Sequence, residues 1–238
     1  MTSLRDLWDF DDPAASEHRF RERAAAEDPP GATHALTQVA RALGLQERYA
    51  EGFAVLDDLV PVDEEGRVRV ALERGRLLRS SGDPSAALPC FESAATTARA
   101  AGLEGLEVDA LHMVALVVPA GRRLAAHRRA LARARAASDA AARDWDASLL
   151  NNIGMTHADA ADHAAALVAF QDALAARERI GDPARTRVAR WMVAWSLRHL
   201  GRTDEALALQ LGLRAELDAA GEDDPYVDEE LALLTAPT

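Results

Sequence analysis

Seven histidines, one cysteine and 39 acidic side chains are the raw material for chemistry in this 238-residue chain. The densest set of metal-ligand types is His157 and His163 with Asp159 and Asp162 between them. A helix grips a metal through histidines four apart on one face. These two are six apart and straddle a turn, so they read as polar turn residues and no metal is expected. Cys90 stands alone, which excludes a disulfide framework and a cysteine-based zinc site. In the helical stretch AALPCFESA it reads as a small buried thiol. There is no Gly-x-Ser-x-Gly elbow, no Cys–His pairing and no glycine-rich phosphate loop. All 27 basic residues are arginine. A chain without lysine offers no Schiff base, no lysine general base and no Walker-A loop. No catalytic residue and no cofactor is expected, and the chain does not read as an enzyme.

Arginine makes the strongest charge signal. Arg122, Arg123, Arg128, Arg129, Arg133 and Arg135 crowd one predicted helix, and no acidic residue lies between Asp109 and Asp139. At 100° per residue, Arg122, Arg129 and Arg133 share a stripe opposite Leu124 and Leu131. Such a stripe resembles a nucleic-acid footprint. It lacks interleaved aromatics, however, and the whole chain carries −12, so a solvated convex face is the better reading and nucleic acid is not the expected partner.

The elements that hold these residues are helices. Ala occurs 53 times, Ile twice, and aromatics make up 5%, which suits close-packed helices and starves a sheet of its preferred residues. The acidic start MTSLRDLWDFDD has no apolar signal-peptide core. The longest apolar stretch, around Leu111–Ala120, is broken by His112 and Pro119. A soluble, cytoplasmic protein with no membrane partner is expected. The lysine-free, arginine- and alanine-rich composition also fits a GC-rich bacterial genome.

Four segments align without gaps: ALTQVARALGLQERYAEGFAVLDDL, ALERGRLLRSSGDPSAALPCFESA, LLNNIGMTHADAADHAAALVAFQDA and RWMVAWSLRHLGRTDEALALQLGL. Each has a small residue, at Ala40, Gly75, Gly154 and Ala194, and a second one 12 positions later at Gly52, Ala87, Ala166 and Ala206. Two helices cross closely only where both offer small side chains. Leu56, Leu88, Phe91, Leu167, Phe170 and Leu207 would fill the space between neighbouring helix pairs. A fifth copy fits the gap around Ala115, giving spacings of 35, 40, 39 and 40 residues. Turns fall at Gly82-Asp83-Pro84, Gly102, Gly181-Asp182-Pro183, Gly201 and Gly221. The third copy departs from the pattern. Its turn, Pro119-Ala120-Gly121, comes early, and His127 replaces the second small residue, which should kink the array locally.

This pattern resembles the tetratricopeptide repeat (TPR). Asn152, Ile153, Gly154, Ala166, Leu167, Phe170 and Ala173 fall where that pattern places Asn, Leu, Gly, Ala, Leu, an aromatic and Ala. A period near 40 rather than 34 points to the long-helix subclass. The stretches LERGRLLRSSGDP, DALHMVA, SLLNNIGMTH and ARWMVAWSLRHLGRTDEAL are similar to uncharacterised bacterial TPR proteins. The resemblance implies an all-α right-handed superhelical solenoid of about 12 helices, two per repeat plus a cap at each end. Residues 1–32 read as an N-terminal capping segment and helix, with Asp12 as N-cap, Pro13 in the first turn, and Trp8 and Phe10 folding back onto the first pair. Residues 33–220 read as five repeats and residues 221–238 as a C-terminal capping helix and tail.

The resemblance also implies a site. The first helix of each pair lines a concave groove, and the positions three and two before the first small residue, and one after it, point inward. These are Thr37, Gln38 and Arg41; Leu72, Glu73 and Arg76; His112, Met113 and Leu116; Asn151, Asn152 and Met155; and Trp191, Met192 and Trp195. Arg69, Arg79, Arg198, Asp109 and Asp159 lie at further groove positions. Five arginines there against Glu73, Asp109 and Asp159 leave the groove positive on an acidic chain. A carboxamide such as Asn151 or Asn152 matches a peptide unit, guanidinium groups at Arg69, Arg76 and Arg198 match carboxylates, and the Trp191 and Trp195 indoles suit an apolar side chain. Those two tryptophans read equally as core under the C-terminal cap. The expected function is a protein- or peptide-binding scaffold whose ligand, an extended and partly acidic peptide or a C-terminal tail, lies across repeats two to five. The alternative is a self-assembling homodimer with no groove ligand. Chaperone-binding TPR modules are a poor match, because their carboxylate clamp uses lysine.

Overall fold

Five times the chain reads Asp-Pro just ahead of a helix, and in all but Asp28-Pro29 the proline is itself the first helical residue. Asp12, Asp83 and Asp182 each accept the backbone N–H three residues on, and Asp224 accepts that of Tyr226. The proline after each fills the first helical position, whose missing N–H would lack an intrahelical partner anyway. Asp63 and Asp162 cap their helices in the same way without the proline. A side-chain cap of this kind is worth about 1 kcal/mol.

A computed structural model describes residues 3–236. Residues 1–2 and 237–238 of the expected terminal segments lie outside the described residues. Among the described residues are thirteen α-helices, a 3₁₀ turn at Leu4–Leu7, and no strand. The helices are α1 (Pro13–Ala25), α2 (Gly31–Leu45), α3 (Tyr49–Asp57), α4 (Glu64–Ser80), α5 (Pro84–Ala100), α6 (Glu104–Val117) and α7 (Ala120–Arg135). They continue with α8 (Ala140–Arg143), α9 (Trp145–Asp159), α10 (His163–Ile180), α11 (Pro183–His199), α12 (Thr203–Ala220) and α13 (Pro225–Thr235). The five helix pairs expected from the sequence correspond by position to α2–α3, α4–α5, α6–α7, α9–α10 and α11–α12, and the expected caps to α1 and α13. The four-residue α8, between the third and fourth pairs, is the one helix the repeat pattern does not supply.

The chain divides into two compact units. The first runs to Arg133 and includes Ala137–Ala142; the second takes Ala134–Ala136 and everything from Arg143. In the first unit α1 packs on α2, α2 on α3 and α4, and α5 bridges α4 and α6. Fully buried Phe20 of α1 meets Val39 and Leu43 of α2, and Trp8 folds onto this cluster as expected. In the second unit α9, α10, α11, α12 and α13 each pack on the next. Ala166, Leu167 and Phe170 of α10, Val193 and Leu197 of α11 and Leu234 of α13 form one core cluster there.

Within each pair a fixed ledger of positions repeats. The first small residue (Ala40, Gly75, Ala115, Gly154 or Ala194) is followed 16 positions later by a buried side chain from the second helix: Leu56, Phe91, Leu131, Phe170 and Gln210. Seven positions after the small residue the chain turns in the left-handed region, at Glu47 (φ 60°), Gly82 (φ 100°), Ala161 (φ 58°) and Gly201 (φ 72°). In the third pair the same offset is Arg122, already inside α7, because the turn at Val118 and Pro119 comes early. Its second helix buries His127 where the other pairs have a small residue.

Glu47 and Ala161 carry the steric cost that glycine avoids at Gly82 and Gly201. Ala161→Gly is expected to raise stability by about 0.5–1 kcal/mol, after allowing for the extra freedom glycine gives the unfolded chain. Urea titration measures it, and a destabilised variant would mean that the Ala161 methyl contributes more than its backbone strain costs.

Candidate functional site

In the first unit the side chains singled out by the sequence lie on α2, α4 and α6. Thr37 and Gln38 are buried. Thr37 Oγ1 donates to the His34 carbonyl at 2.7 Å and accepts from Gln38 Nε2 at 3.2 Å. Gln38 Oε1 in turn accepts the indole N–H of Trp8 at 3.1 Å. The Arg41 guanidinium lies over the Trp8 ring at 5.3 Å and the Phe10 ring at 5.7 Å, and those two rings stack with centroids 4.8 Å apart. The positions expected to face a ligand in the first pair thus face the chain's own N-terminal segment.

Arg76 is the centre of a buried ion network. Its Nη1 donates to Glu73 on the same helix at 2.5 Å, and its Nη2 to both oxygens of Asp109 on α6 at 2.5 and 2.7 Å. Burial alone would raise the Asp109 pKa, but the adjacent guanidinium of Arg76, with Arg41 also contributing, holds that carboxyl below its usual range. Arg69 donates to Glu65 at 2.8 Å. Arg79 is exposed, and neither it nor Arg41 makes an ion pair among the described residues. On this face four guanidinium groups stand against the carboxylates of Glu65, Glu73 and Asp109, so the excess is positive. Burial, reinforced by Arg76 and Arg79, pushes the pKa of His112 down to about 4 against the opposing pull of Asp109. His127, with its ring 6.3 Å from that of His112, is likewise down to about 4 through burial and the nearby charges of His112 and Arg123. Both are neutral near pH 7.

In the second unit Asn151 and Asn152 are both half-buried on α9. The Asn152 carbonyl accepts from Thr156 Oγ1 at 2.8 Å. The Asn151 carboxamide makes no hydrogen bond among the described residues, and Met155, one turn on, is 41% exposed. Trp191 donates its indole N–H to the Tyr226 carbonyl of α13 at 3.1 Å and packs against Leu213, Leu217 and Val227. Trp195 packs on the core cluster through one side and meets the rings of His163 at 5.5 Å and His199 at 4.2 Å through others. Arg198 grips Glu230 of α13 through two bonds of 2.7 Å. Arg76 and Arg198, expected to hold a ligand's carboxylates, therefore already hold the protein's own.

The histidine–aspartate set does not converge. His157 turns to Asp162 at 3.6 Å, while His163 stacks on His199 with centroids 4.4 Å apart. Among the described residues no group of three or more His, Cys, Asp or Glu side chains is placed to hold a metal ion. On α7, Arg122, Arg128, Arg129 and Arg135 are exposed. Arg133, grouped with Arg122 and Arg129 on one stripe, instead bonds Glu107 at 2.5 Å and Glu104 at 3.1 Å. Cys90 is half-buried, and burial pushes its thiol pKa up. No helix among the described residues is long and apolar enough to cross a membrane.

Residues 145–211, covering α9 to α11 and half of α12, match the family model for the tetratricopeptide repeat. The match coincides with the two helix pairs whose sequence pattern is clearest, and their helices of 15 to 18 residues account for the long period. No curated protein matches the chain by sequence. Among solved structures the fold is shared with BtubC (BKLC) from P. vanneervenii, at 18% identity and TM-score 0.62, covering 94% of this chain and 95% of that one. It is shared with the nearly identical TPR-like repeats of a kinesin-light-chain-type protein of Podosopora anserina, at 12% identity and TM-score 0.63, covering 82% and 99%. The apo form of the quorum sensor NprR from B. thuringiensis is similar at 16% identity and TM-score 0.64, over 95% of this chain and 64% of that one. At these identities the likeness is one of fold.

The inter-helix ion pairs escaped sequence reasoning. Arg76 and Asp109 are 33 residues apart, and Arg198 and Glu230 are 32 apart. Those separations approximate one repeat length, a signal that each arginine reaches the next first helix in the stack.

Proposed function

We propose that this protein is a non-enzymatic scaffold that binds a protein or an extended peptide on the exposed face of its first-position helices. The observation that carries this reading is Asn151, a half-buried carboxamide on α9 with no internal hydrogen bond, beside the exposed thioether of Met155. A carboxamide can satisfy both the N–H and the C=O of a peptide unit without regard to its side chain. In the first unit, taken by itself, the exposed Arg79 keeps open donors beside the positive excess around Arg76, which favours acidic side chains in a ligand bound there. A fold in common with a quorum sensor and with kinesin-light-chain-type repeats is consistent with recognition rather than catalysis.

The test is selection of random dodecapeptides against the immobilised chain, followed by affinities for the enriched sequences. Asn151→Ala and Asn152→Ala are expected to weaken every binder alike, about three- to tenfold each, as befits one or two hydrogen bonds. Arg79→Ala should weaken only acidic binders, and more so at low salt. If nothing is enriched and light scattering instead finds a stable dimer, the homodimer reading replaces this one.

A further inference from the structure

The second unit contains a cleft that the groove reading does not use. It has a volume of about 280 Å³ and opens between α11, α12 and α13. Val188, Trp191 and Met192 of α11, Leu213 of α12, and Tyr226 and Val227 of α13 form its apolar walls. The polar tip of Trp191 is already satisfied by the Tyr226 carbonyl, so the cleft presents the faces of the indole rather than its N–H. Its mouth is left open: Val188 is 59% exposed and Tyr226 67%. An enclosed apolar cavity of about 150 Å³ already admits a benzene ring, so this one has room for a phenyl or a large aliphatic side chain.

The rim has a sign. Arg187 and Asp224 lie on the cleft itself. Arg187 is engaged by Glu222 at 2.5 Å, and the Asp224 carboxylate accepts only the backbone N–H of Tyr226 at 3.0 Å. From Asp218 to Glu230 the chain carries seven carboxylates and no basic residue. Arg214 meets Asp218 at 2.9 Å, Asp228 at 3.1 Å and, more loosely, the 97% exposed Asp223 at 3.7 Å, so one guanidinium is shared among three carboxylates. The carboxylates outnumber the guanidinium groups that reach them, so the apolar cleft sits in a negative field.

We propose that this cleft docks a basic–apolar segment of another protein. One phenyl or large aliphatic side chain enters the cleft against Val188, Met192 and the edge-to-face pair of Trp191 and Tyr226, whose ring centroids are 6.3 Å apart, and an arginine or lysine beside it lies along the carboxylates of Asp223, Asp224 and Asp228. A second copy of this chain is poorly equipped to be that partner. Its arginine-rich stretch on α7 contains no Phe, Tyr or Trp, and of the two leucines there Leu131 is buried and Leu124 half-buried. The one aromatic set directly between two arginines, Phe20, is fully buried.

Fluorescence anisotropy with three labelled heptapeptides tests the proposal: Phe-Leu among arginines, the same peptide with glutamates for arginines, and one with Ser-Ser for Phe-Leu. Only the first should bind the wild-type chain saturably, and more weakly as salt rises. Val188→Trp, a change at an exposed position that fills the mouth, should weaken it at least tenfold. The pair Asp223→Asn and Asp228→Asn should weaken it about fivefold and flatten its salt dependence. The proposal is overturned if none of the peptides binds, if the three bind alike, or if Val188→Trp leaves the affinity unchanged. It is also overturned if light scattering shows a wild-type dimer that Val188→Trp dissociates, because the occupant is then a second copy.

Discussion

Gly154→Leu is expected to destabilise the second unit by about 3 kcal/mol or more, the upper end of what overpacking costs. A Cβ built at Gly154 would stand 2.6 Å from Cδ1 and 2.8 Å from Cζ of Phe170, a ring with no solvent exposure. The same arrangement recurs at Gly75, where a Cβ would meet Cε1 of Phe91 at 2.5 Å. Neither ring can withdraw, because a close-packed core leaves no void to receive it. Ala166→Leu, in the same cluster as Phe170, should cost about 1–3 kcal/mol. Gly212→Leu is the control: nothing lies within 4 Å of a Cβ there, so it should melt almost like wild type. The first pair also supplies a rescue. It crosses with Ala40 against Leu56, so Gly154→Ala combined with Phe170→Leu should recover much of what Gly154→Ala alone loses. Thermal melts and urea titrations read all of these, and a Gly154→Leu protein as stable as wild type would refute the assigned crossing.

Gln210→Leu is expected to do the opposite and raise stability by about 1–3 kcal/mol, the desolvation penalty of a buried polar group left unpaired. Gln210 follows Ala194 by the same 16 residues that separate Ala40 from Leu56 and Gly154 from Phe170. It has no solvent exposure, and both its amide nitrogen and its amide oxygen lack a hydrogen-bond partner among the described residues. Leucine would restore to the fifth pair the Ala–Leu crossing of the first. Urea titration with the slope held fixed measures the gain. A loss of stability would show instead that the amide is satisfied in solution, and that Gln210 is a polar anchor of the fifth pair.

How much of this was legible beforehand depends on how local each feature is. Helix starts at Asp12, Asp83, Asp182 and Asp224 are written in dipeptides, and the crossings at Ala40, Gly75, Gly154 and Ala194 in a spacing. Capping satisfies backbone groups within a turn, and side-chain periodicity acts within one helix, so both survive reading one residue at a time. The left-handed turns at Glu47 and Ala161 were hidden for the converse reason: neither residue prefers that conformation, and the packing of the flanking helices imposes it. The sequence by itself thus determined the all-helical fold, every helix but α8, and the residues that stand on α2, α4, α6, α9 and α11. Only the tertiary structure decided which of those residues are already engaged. Gln38 and Arg41 face Trp8 and Phe10, Arg76 is held by Asp109, and Arg198 by Glu230, while Asn151 is left with an unengaged amide. The partners that engage them come from other helices or from the N-terminal segment. Their meeting depends on where packing sets one element against the next, which no spacing along a single helix encodes.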